Sequence, residues 1–182
     1  MTKILKKDLY RYIGERNRSF LMKLRYFLFT PGFRYIFYFR KTQNANNFFS
    51  KLFWHVLLRR QMIKTGIQIP YQTKIDEGFR IVHFGSIVVN PAAVIGRNFN
   101  ISEGCLIGNS QGRKKGTPVI GDNVCMNANS VIIGGVRIGN NVVIAPGAFI
   151  NFDVPDNAVV VGNPGKIIIK DKPSAKYIVY PV

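Results

Sequence analysis

The side chains of this sequence best suited to chemistry are two histidines, two cysteines and one basic cluster. His55 lies within FFSKLFWHVLLRR, where the apolar residues have helical spacing, and we interpret it as structural. Cys105 and Cys125 have neither the number nor the spacing of a disulfide framework or a metal site, so we expect reduced thiols and no bound metal. His83 remains, and an imidazole that titrates near neutral pH is suited to general-base catalysis. A single histidine is more often structural, so its role depends on the elements that hold it.

Those elements are indicated by large aliphatic side chains that recur every six residues in the second part of the chain. With two interruptions, the repeated positions are Ile75, Ile81, Ile87, Ile95, Ile101, Ile107, Ile120, Met126, Ile132, Ile138, Ile144 and Ile150. A period of six predicts short strands joined by turns, with three sides closing a coil of about 18 residues. We therefore predict a mainly β fold, a solenoid of about five coils, in preference to a sandwich of short strands.

A polar, basic and glycine-rich stretch interrupts this repeat. It reads GNSQGRKKGTP, spans residues 108–118, and has no inward-facing aliphatic side chain. We predict a loop that leaves the solenoid, and long loops on a rigid scaffold often carry binding residues. Arg113 and Lys114 are candidate contacts to a phosphate or to an acceptor substrate, although runs of charge are usually only solvated.

Charge and aromatic content divide the chain near residue 65. Residues 1–64 contain 15 of the 26 lysines and arginines, two of the nine acidic residues and 15 of the 23 aromatic residues. We predict a basic helical segment over residues 1–65, a solenoid domain over 66–169 and an irregular extension over 170–182 that lies on a neighbouring subunit. The helical segment is interpreted either as a cap on the first coil or as a surface that binds the anionic inner face of a membrane. Its charge also permits nucleic-acid binding, but no recognition motif is present and we expect none.

Targeting signals are not evident in the sequence. No window of about 18 residues is free of charge, so we expect no transmembrane helix. Residues 1–9 contain three lysines but no apolar stretch and no cleavage site, which disfavours a secretory signal. We therefore expect a cytoplasmic protein, with peripheral binding to the inner membrane as an open alternative.

Two long runs of sequence resemble a known family. They are KIDEGFRIVHFGSIVVNPAAVIGRNFNISEGCLIGNS, residues 74–110, and PVIGDNVCMNANSVIIGGVRIGNNVVIAPGAFINFDVPDNAVVVGNPGKII, residues 118–168. Together they resemble the hexapeptide-repeat acyltransferases, in particular the serine acetyltransferase-like and polysaccharide O-acetyltransferase branch. The resemblance implies a left-handed parallel β-helix with an N-terminal helical cap. It also implies a homotrimer, active sites between neighbouring subunits, and acetyl-CoA as the donor.

The resemblance also implies roles for individual residues. His83 takes the position of the catalytic base in a direct transfer, without an acyl-enzyme. Gly108, Ala128 and Ala145 belong to the site for the donor, where small residues let the pantetheine arm approach the backbone. Lys166, in the run GNPGK, takes the position of a cation that contacts the phosphates of CoA.

The acceptor site departs from the serine acetyltransferase pattern. Val82 stands where that pattern has an Asp before the histidine, Gln68 replaces an earlier Asp, and residues 116–117 replace an Arg-His pair. We therefore expect serine to be a poor acceptor. Asn90, Glu103 or a backbone carbonyl of a neighbour is left to orient the imidazole.

Our main expectation from the sequence is an acetyl-CoA-dependent O-acetyltransferase that acts on a carbohydrate hydroxyl, in the synthesis of capsule, exopolysaccharide or O-antigen. One alternative is an acetyltransferase for serine, or for the oxygen or nitrogen of an amino sugar or nucleotide sugar. Another alternative is a solenoid without catalytic activity that serves as a scaffold at a membrane surface.

Overall fold

The computed structural model of the 182-residue chain describes residues 1–15 and 19–182. Residues 16–18 of the predicted basic segment lie outside the described residues. The helices are α1 (Lys3–Ile13), α2 (Phe20–Phe29), α3 (Pro31–Gln43) and α4 (Phe48–Thr65). The strands are β1 (Lys74–Ile75), β2 (Arg80–Ile81), β3 (Val88–Val89), β4 (Val94–Ile95), β5 (Asn100–Ile101), β6 (Leu106–Gly108), β7 (Val119–Ile120), β8 (Cys125–Met126), β9 (Val131–Ile133), β10 (Arg137–Ile138), β11 (Val143–Ile144), β12 (Phe149–Ile150), β13 (Ala158–Val161) and β14 (Lys166–Ile169).

The helices begin and end at residues that satisfy the free groups of their termini. The Asn47 side chain accepts a hydrogen bond from the Ser50 amide at 2.8 Å and caps the start of α4. Gly66 ends α4 in the left-handed region that glycine adopts without strain. Pro31 begins α3, where its missing N–H costs nothing. In the described part of the chain, no helix is both long enough and apolar enough to cross a bilayer.

The strands form three sheets that are the three sides of one coiled chain. Their orders are β1-β4-β7-β10, β3-β6-β9-β12, and β2-β5-β8-β11-β13-β14. Every pairing is parallel and in register except that of β13 with β14, which is antiparallel. Single parallel pairings of Gln68 with Val88 and of Val154 with Ile138 complete the first and last turns. The predicted solenoid of about five coils with a helical cap is confirmed.

The core is a stack of inward-facing aliphatic columns, as the repeat predicts, with one correction. Val89 pairs in register with Ile107, so Val89 occupies the column to which the repeat assigned Ile87. Ile87 lies two residues earlier, in the column of Cys105, and both are fully buried. The extra two residues of the first coil therefore lie between Ile81 and Val89, not after Ile87 as the spacing suggested.

One corner of the solenoid is held by a ladder of asparagines. Asn98, Asn123, Asn141 and Asn157 have φ between +54° and +58°, in the left-handed region. The side-chain amides of the first three each donate to the oxygen of the next asparagine, at distances of 3.0 to 3.2 Å. The ladder joins four successive coils and satisfies polar groups that the sharp corner would otherwise leave unpaired.

The helices close the open edge of the first coil through buried polar side chains. Arg40 pairs with Asp8 at 2.8 Å and donates to the carbonyls of Ile75 and Asp76 at 2.7 Å each. The hydroxyls of Tyr12 and Tyr35 each bond both backbone groups of one residue in the first coil, at distances of 2.9 to 3.0 Å. These contacts replace the strand that the first coil lacks on that side.

The extension packs on its own solenoid, and contact with a neighbouring subunit stays a prediction. It contains a short helical turn (Pro173–Lys176) and then packs against α1 and the second coil. The amide of Val182 donates to the Asn98 side chain at 2.9 Å, and Asn100 donates to the carbonyl of Tyr177 at 2.9 Å. The buried Arg11 guanidinium also bonds Asn100, at 2.6 Å, and the Val179 carbonyl. The segment has no repeat, so its sequence carries no register from which its position follows.

We predict that Asn123→Ala lowers the free energy of unfolding by about 2 kcal/mol, whereas Asn123→Gly lowers it by about 1 kcal/mol. Both variants lose the ladder bonds, but only alanine is strained at a φ of +58°. Chemical denaturation of both variants measures the difference. Equal losses would show that backbone strain at this corner contributes nothing.

Candidate active site

His83 lies at a corner of the first coil that is longer than the corresponding corners below it. The inward-facing Ile81 and Val89 are eight positions apart, whereas the equivalent residues of each lower coil are six apart. The extra length lets the chain leave the coil, and residues 82–84 are exposed. The insertion thus places the imidazole at the surface of the solenoid, where a substrate can reach it.

Each lower coil has a corner at the corresponding position. These corners hold most of the predicted catalytic and donor-site residues. Glu103 and Ala128 lie in the next two corners, where the Asn129 amide donates to the Glu103 carbonyl at 2.9 Å. Ala145 lies in the corner after that, and Lys166 is exposed where the chain leaves the last corner. We call this line of corners, from His83 to Lys166, the His83 edge.

Glu103 is the acidic side chain of the His83 edge. It lies one coil below His83, and a Cβ added at Gly85 would be 3.2 Å from the Cβ of Glu103. Among the described residues, its Oε2 atom is buried without a hydrogen-bond partner. A buried carboxylate oxygen is costly to leave without a hydrogen bond. This oxygen is therefore free to accept one from a ligand or a side chain.

The middle of the His83 edge is open to a ligand. Ala128 and Ala145 are half-buried, and Pro146 and Gly147 are exposed. A Cβ added at Gly147 would meet no atom within 4 Å, so no side chain covers the backbone there. This edge therefore has the small residues and free surface that an extended pantetheine arm needs.

The remaining predicted site residues lie along a second line of corners, which we call the loop edge. Asn90 follows β3 and Gly108 ends β6, both at the end of the strands opposite to the His83 edge. Arg113 and Lys114 line a cleft of about 360 Å³ with Phe152 at this edge. The side chain of Asn90 is used locally, because its oxygen accepts the amide of Ala92 at 2.9 Å.

The loop is held down by an ion pair that sequence reasoning missed. Asp153 accepts from Lys114 at 2.8 Å and from the amide of Arg137 at 2.9 Å. The Lys114 hydrogen bond holds the pKa of the Asp153 carboxyl below its usual range. The loop also pairs with itself through Ser110 and Gly116. The available signal was the turn Asp-Val-Pro of residues 153–155, which lies inside the second run that resembles the family.

The two edges are separate within one chain. The sheet β3-β6-β9-β12 lies between them, with the His83 edge at the start of its strands and the loop edge at their end. Asn90 is therefore removed as a candidate to orient His83 in the same chain, and Glu103 remains.

The structure shows where the residues that depart from the serine acetyltransferase pattern lie. Val82 is exposed beside His83. The backbone of Gln68 forms the first parallel pairing of the solenoid, with Val88. The hydroxyl of Thr117 donates to the carbonyl of Ala92 at 3.2 Å. None of these side chains carries a carboxylate or a cation.

The cysteines are structural in this fold. Both are buried and unpaired within the described chain. Burial raises the pKa of the Cys105 thiol, and it raises the pKa of Cys125 to about 11. Neither thiol is poised to act as a nucleophile.

Two further features bear on ligands. In the described residues, no three His, Cys, Asp or Glu side chains lie together in a way that could hold a metal ion.

A cleft of about 570 Å³ between α1, α2 and Val182 is lined by Lys3, Lys6 and Lys23, and it contains none of the predicted site residues.

Known proteins with hexapeptide repeats are similar to this chain, in agreement with its coiled fold. The family model for the bacterial transferase hexapeptide, with six repeats, matches residues 117–151. Serine acetyltransferase from Synechococcus elongatus is 28% identical over 93% of this chain and 70% of its own length. Serine acetyltransferase 2 from Arabidopsis thaliana is 35% identical over 57% of this chain, which spans only 32% of that relative.

Solved structures give the same result. Serine acetyltransferase from Neisseria gonorrhoeae, in complex with serine, has a TM-score of 0.72 and 29% identity, over 90% of this chain and 67% of its own. Serine acetyltransferase from Brucella abortus, in complex with coenzyme A, has a TM-score of 0.76 and 25% identity, over 92% of this chain and 67% of its own. These similarities are consistent with the predicted left-handed β-helix.

The expected carbohydrate acceptor is wrong, because the relatives and structural neighbours are serine acetyltransferases. The polysaccharide O-acetyltransferase branch is likewise not supported. The chain lacks the Asp residues that the serine acetyltransferase pattern has at positions 68 and 82. Their absence does not identify a new acceptor. In its repeat, its coil and these relatives, the chain is similar to the hexapeptide-repeat acyltransferases.

Proposed function

We propose that this chain transfers the acetyl group of acetyl-CoA to the hydroxyl of serine, with His83 as the general base. The observation that supports this most is the His83 edge, which aligns an exposed imidazole with an open, small-residue surface that ends at Lys166. Relatives that match most of this chain include one solved with serine and one solved with coenzyme A.

The chemistry that His83 performs is a direct transfer. The imidazole accepts the proton of the serine hydroxyl while that oxygen attacks the thioester carbonyl and forms a tetrahedral intermediate. The C–S bond then breaks, the acetyl group stays on the serine oxygen, and the imidazolium returns its proton to the departing CoA sulfur. The imidazole is thus regenerated, and no cysteine takes part.

Donor binding follows the same edge. The pantetheine arm lies along the corners of Ala128 and Ala145, where bulky side chains would block access to the backbone. The Lys166 ammonium contacts the phosphates of CoA as a mobile point charge. The thioester is thereby directed along the edge toward His83.

Glu103 is proposed as the positioning residue for the imidazole. Its buried, unpartnered oxygen lies in the corner next to the one that carries His83. A carboxylate there stabilises the imidazolium that forms during attack, and it takes over the part of the acids lost at residues 68 and 82.

The loop edge completes the site in a trimer. Lys114 is engaged by Asp153, whereas Arg113 is exposed on the rim of the loop cleft. We propose that the loop edge of one subunit faces the His83 edge of its neighbour. Arg113 then supplies the cation for the carboxylate of serine that the missing Arg-His pair would have supplied.

The first prediction from this mechanism is that His83→Ala lowers kcat for acetyl transfer to serine by about 10²- to 10⁴-fold, because the general base is lost. Release of the CoA thiol in the presence of serine measures the rate. Calorimetric titration with CoA should be unchanged by this variant.

Lys166→Ala is the matched control for the donor site. It should weaken CoA binding about tenfold or more while His83 remains in place. If the folded protein binds no CoA and His83→Ala changes nothing, the chain is a scaffold without catalytic activity and the proposal fails.

A second prediction concerns Glu103→Gln. Removal of the carboxylate destabilises the imidazolium, so the pKa of the essential base in the profile of kcat/KM against pH should fall, and kcat should fall with it. Glu77→Gln, which removes the partner of Lys7 away from the His83 edge, should leave the profile unmoved. A loss of rate with no shift of the profile would mean that Glu103 serves only the fold.

A third prediction tests direct transfer. Cys105→Ala and Cys125→Ala should each keep kcat within about twofold, since neither buried thiol forms an acyl-enzyme. Steady-state assays of each variant measure this. Accumulation of acetyl label on either cysteine of the native protein would contradict the mechanism.

A further inference from the structure

An exposed apolar stripe runs along α4. Its side chains are between 51% and 80% exposed, and they are Phe48, Phe49, Leu52, Phe53, Val56 and Ile63. At 3.6 residues per turn these positions share one face of the helix. We call this face the outer stripe of α4. Six large apolar side chains in contact with solvent on one helix form a patch that needs a partner.

Among the described residues, the ring contacts of the outer stripe stay within α4, between Phe48 and Phe49 and between Phe53 and Trp54. The opposite face of α4 carries Trp54, which contacts the rings of Phe37 and Tyr38 on α3, and the buried Leu58. The stripe is therefore surplus to the packing of the helices, and its residues can be changed without opening the core.

The outer stripe is accompanied by positive charge and by no acid. Arg59 and Arg60 are exposed at its margins, and Lys64 is exposed one turn later. The sequence has no Asp or Glu between Glu15 and Asp76. Apolar and cationic side chains on one helix face are the combination that binds a bilayer with anionic headgroups.

The helix α2 repeats this arrangement on a smaller scale. Phe20, Leu21, Leu24 and Leu28 are exposed on one of its faces, and Arg25 is exposed beside them. Its inner face carries Phe27, whose ring contacts Phe37 of α3. Two helices of the same cap thus present aromatic and aliphatic side chains together with arginine.

We propose that the outer stripe of α4 docks the protein on an anionic lipid surface. The helix lies parallel to that surface, with its aromatic side chains among the acyl chains and with Arg59 and Arg60 at the headgroups. A second copy of the same stripe fits less well, because facing copies would bring these arginines together with no acid on α2, α3 or α4 to offset them. This inference does not depend on the proposed activity, since none of these residues lies on the His83 edge or the loop edge.

Flotation of the full chain with vesicles tests the proposal. The protein should float with vesicles of phosphatidylcholine and phosphatidylglycerol, float much less with phosphatidylcholine alone, and be released by salt. The double variant Phe49→Ser, Phe53→Ser should lower the partition coefficient about tenfold or more. Charge reversal by Arg59→Glu with Arg60→Glu should lower it by at least a similar factor.

Matched controls come from the other end of the molecule. Ile168 and Ile169 are exposed on β14, and Ile168→Ser with Ile169→Ser removes as many apolar side chains without touching α4. Lys170→Glu with Lys172→Glu reverses the same number of charges. Both control variants should float like the native chain.

Three outcomes would overturn the proposal. Equal flotation with neutral and anionic vesicles would remove the role of the arginines. Flotation that survives the phenylalanine variant would remove the role of the stripe. A phenylalanine variant with a smaller oligomer mass by light scattering and undiminished flotation would show that a second copy covers the stripe.

Discussion

The rest of this structure depends on the in-register stacking of its parallel coils. Each strand is two to four residues long and gains almost all of its backbone hydrogen bonds from the coils above and below. Strands so short have no stability of their own, so a coil is ordered only while its neighbours are. The aliphatic columns, the asparagine ladder and both edges of the site are consequences of that single alignment. A shift of one coil would move every one of them together.

The same alignment explains how a site is built from residues far apart in the sequence. His83, Glu103, Ala128 and Ala145 come from four successive corners, yet they form a single line because each corner lies over the next. The proposed catalytic and acceptor-binding groups lie where this regular stacking is interrupted, at the longer corner of His83 and at the loop of residues 108–118. A rigid scaffold with two irregular places thus holds the proposed site residues in fixed positions and leaves them accessible.

The repeat could be predicted from the sequence because each side of a coil contributes one large inward side chain. The position of the first insertion could not, since Ile87 and Val89 are both apolar, lie two residues apart and point to the same side. Only strand pairing distinguishes them. The carbohydrate acceptor was inferred from missing acids at residues 68 and 82, and that reasoning failed because the absence of particular side chains does not identify a new acceptor. The placement of Glu103 and the ion pair of Asp153 depend on contacts across coils, which a linear pattern does not contain.

Both ends of the solenoid are covered, and this limits how long the solenoid can be. The hydroxyls of Tyr12 and Tyr35 bond the first coil, and the antiparallel β14 pairs with the last. A stack of parallel coils with bare ends would add further copies and grow into a filament. Here both ends are already bonded, one by side chains and the other by a strand of reversed direction. The solenoid can therefore lengthen only by duplication of an internal coil, and the structures that cover its two ends must be kept together.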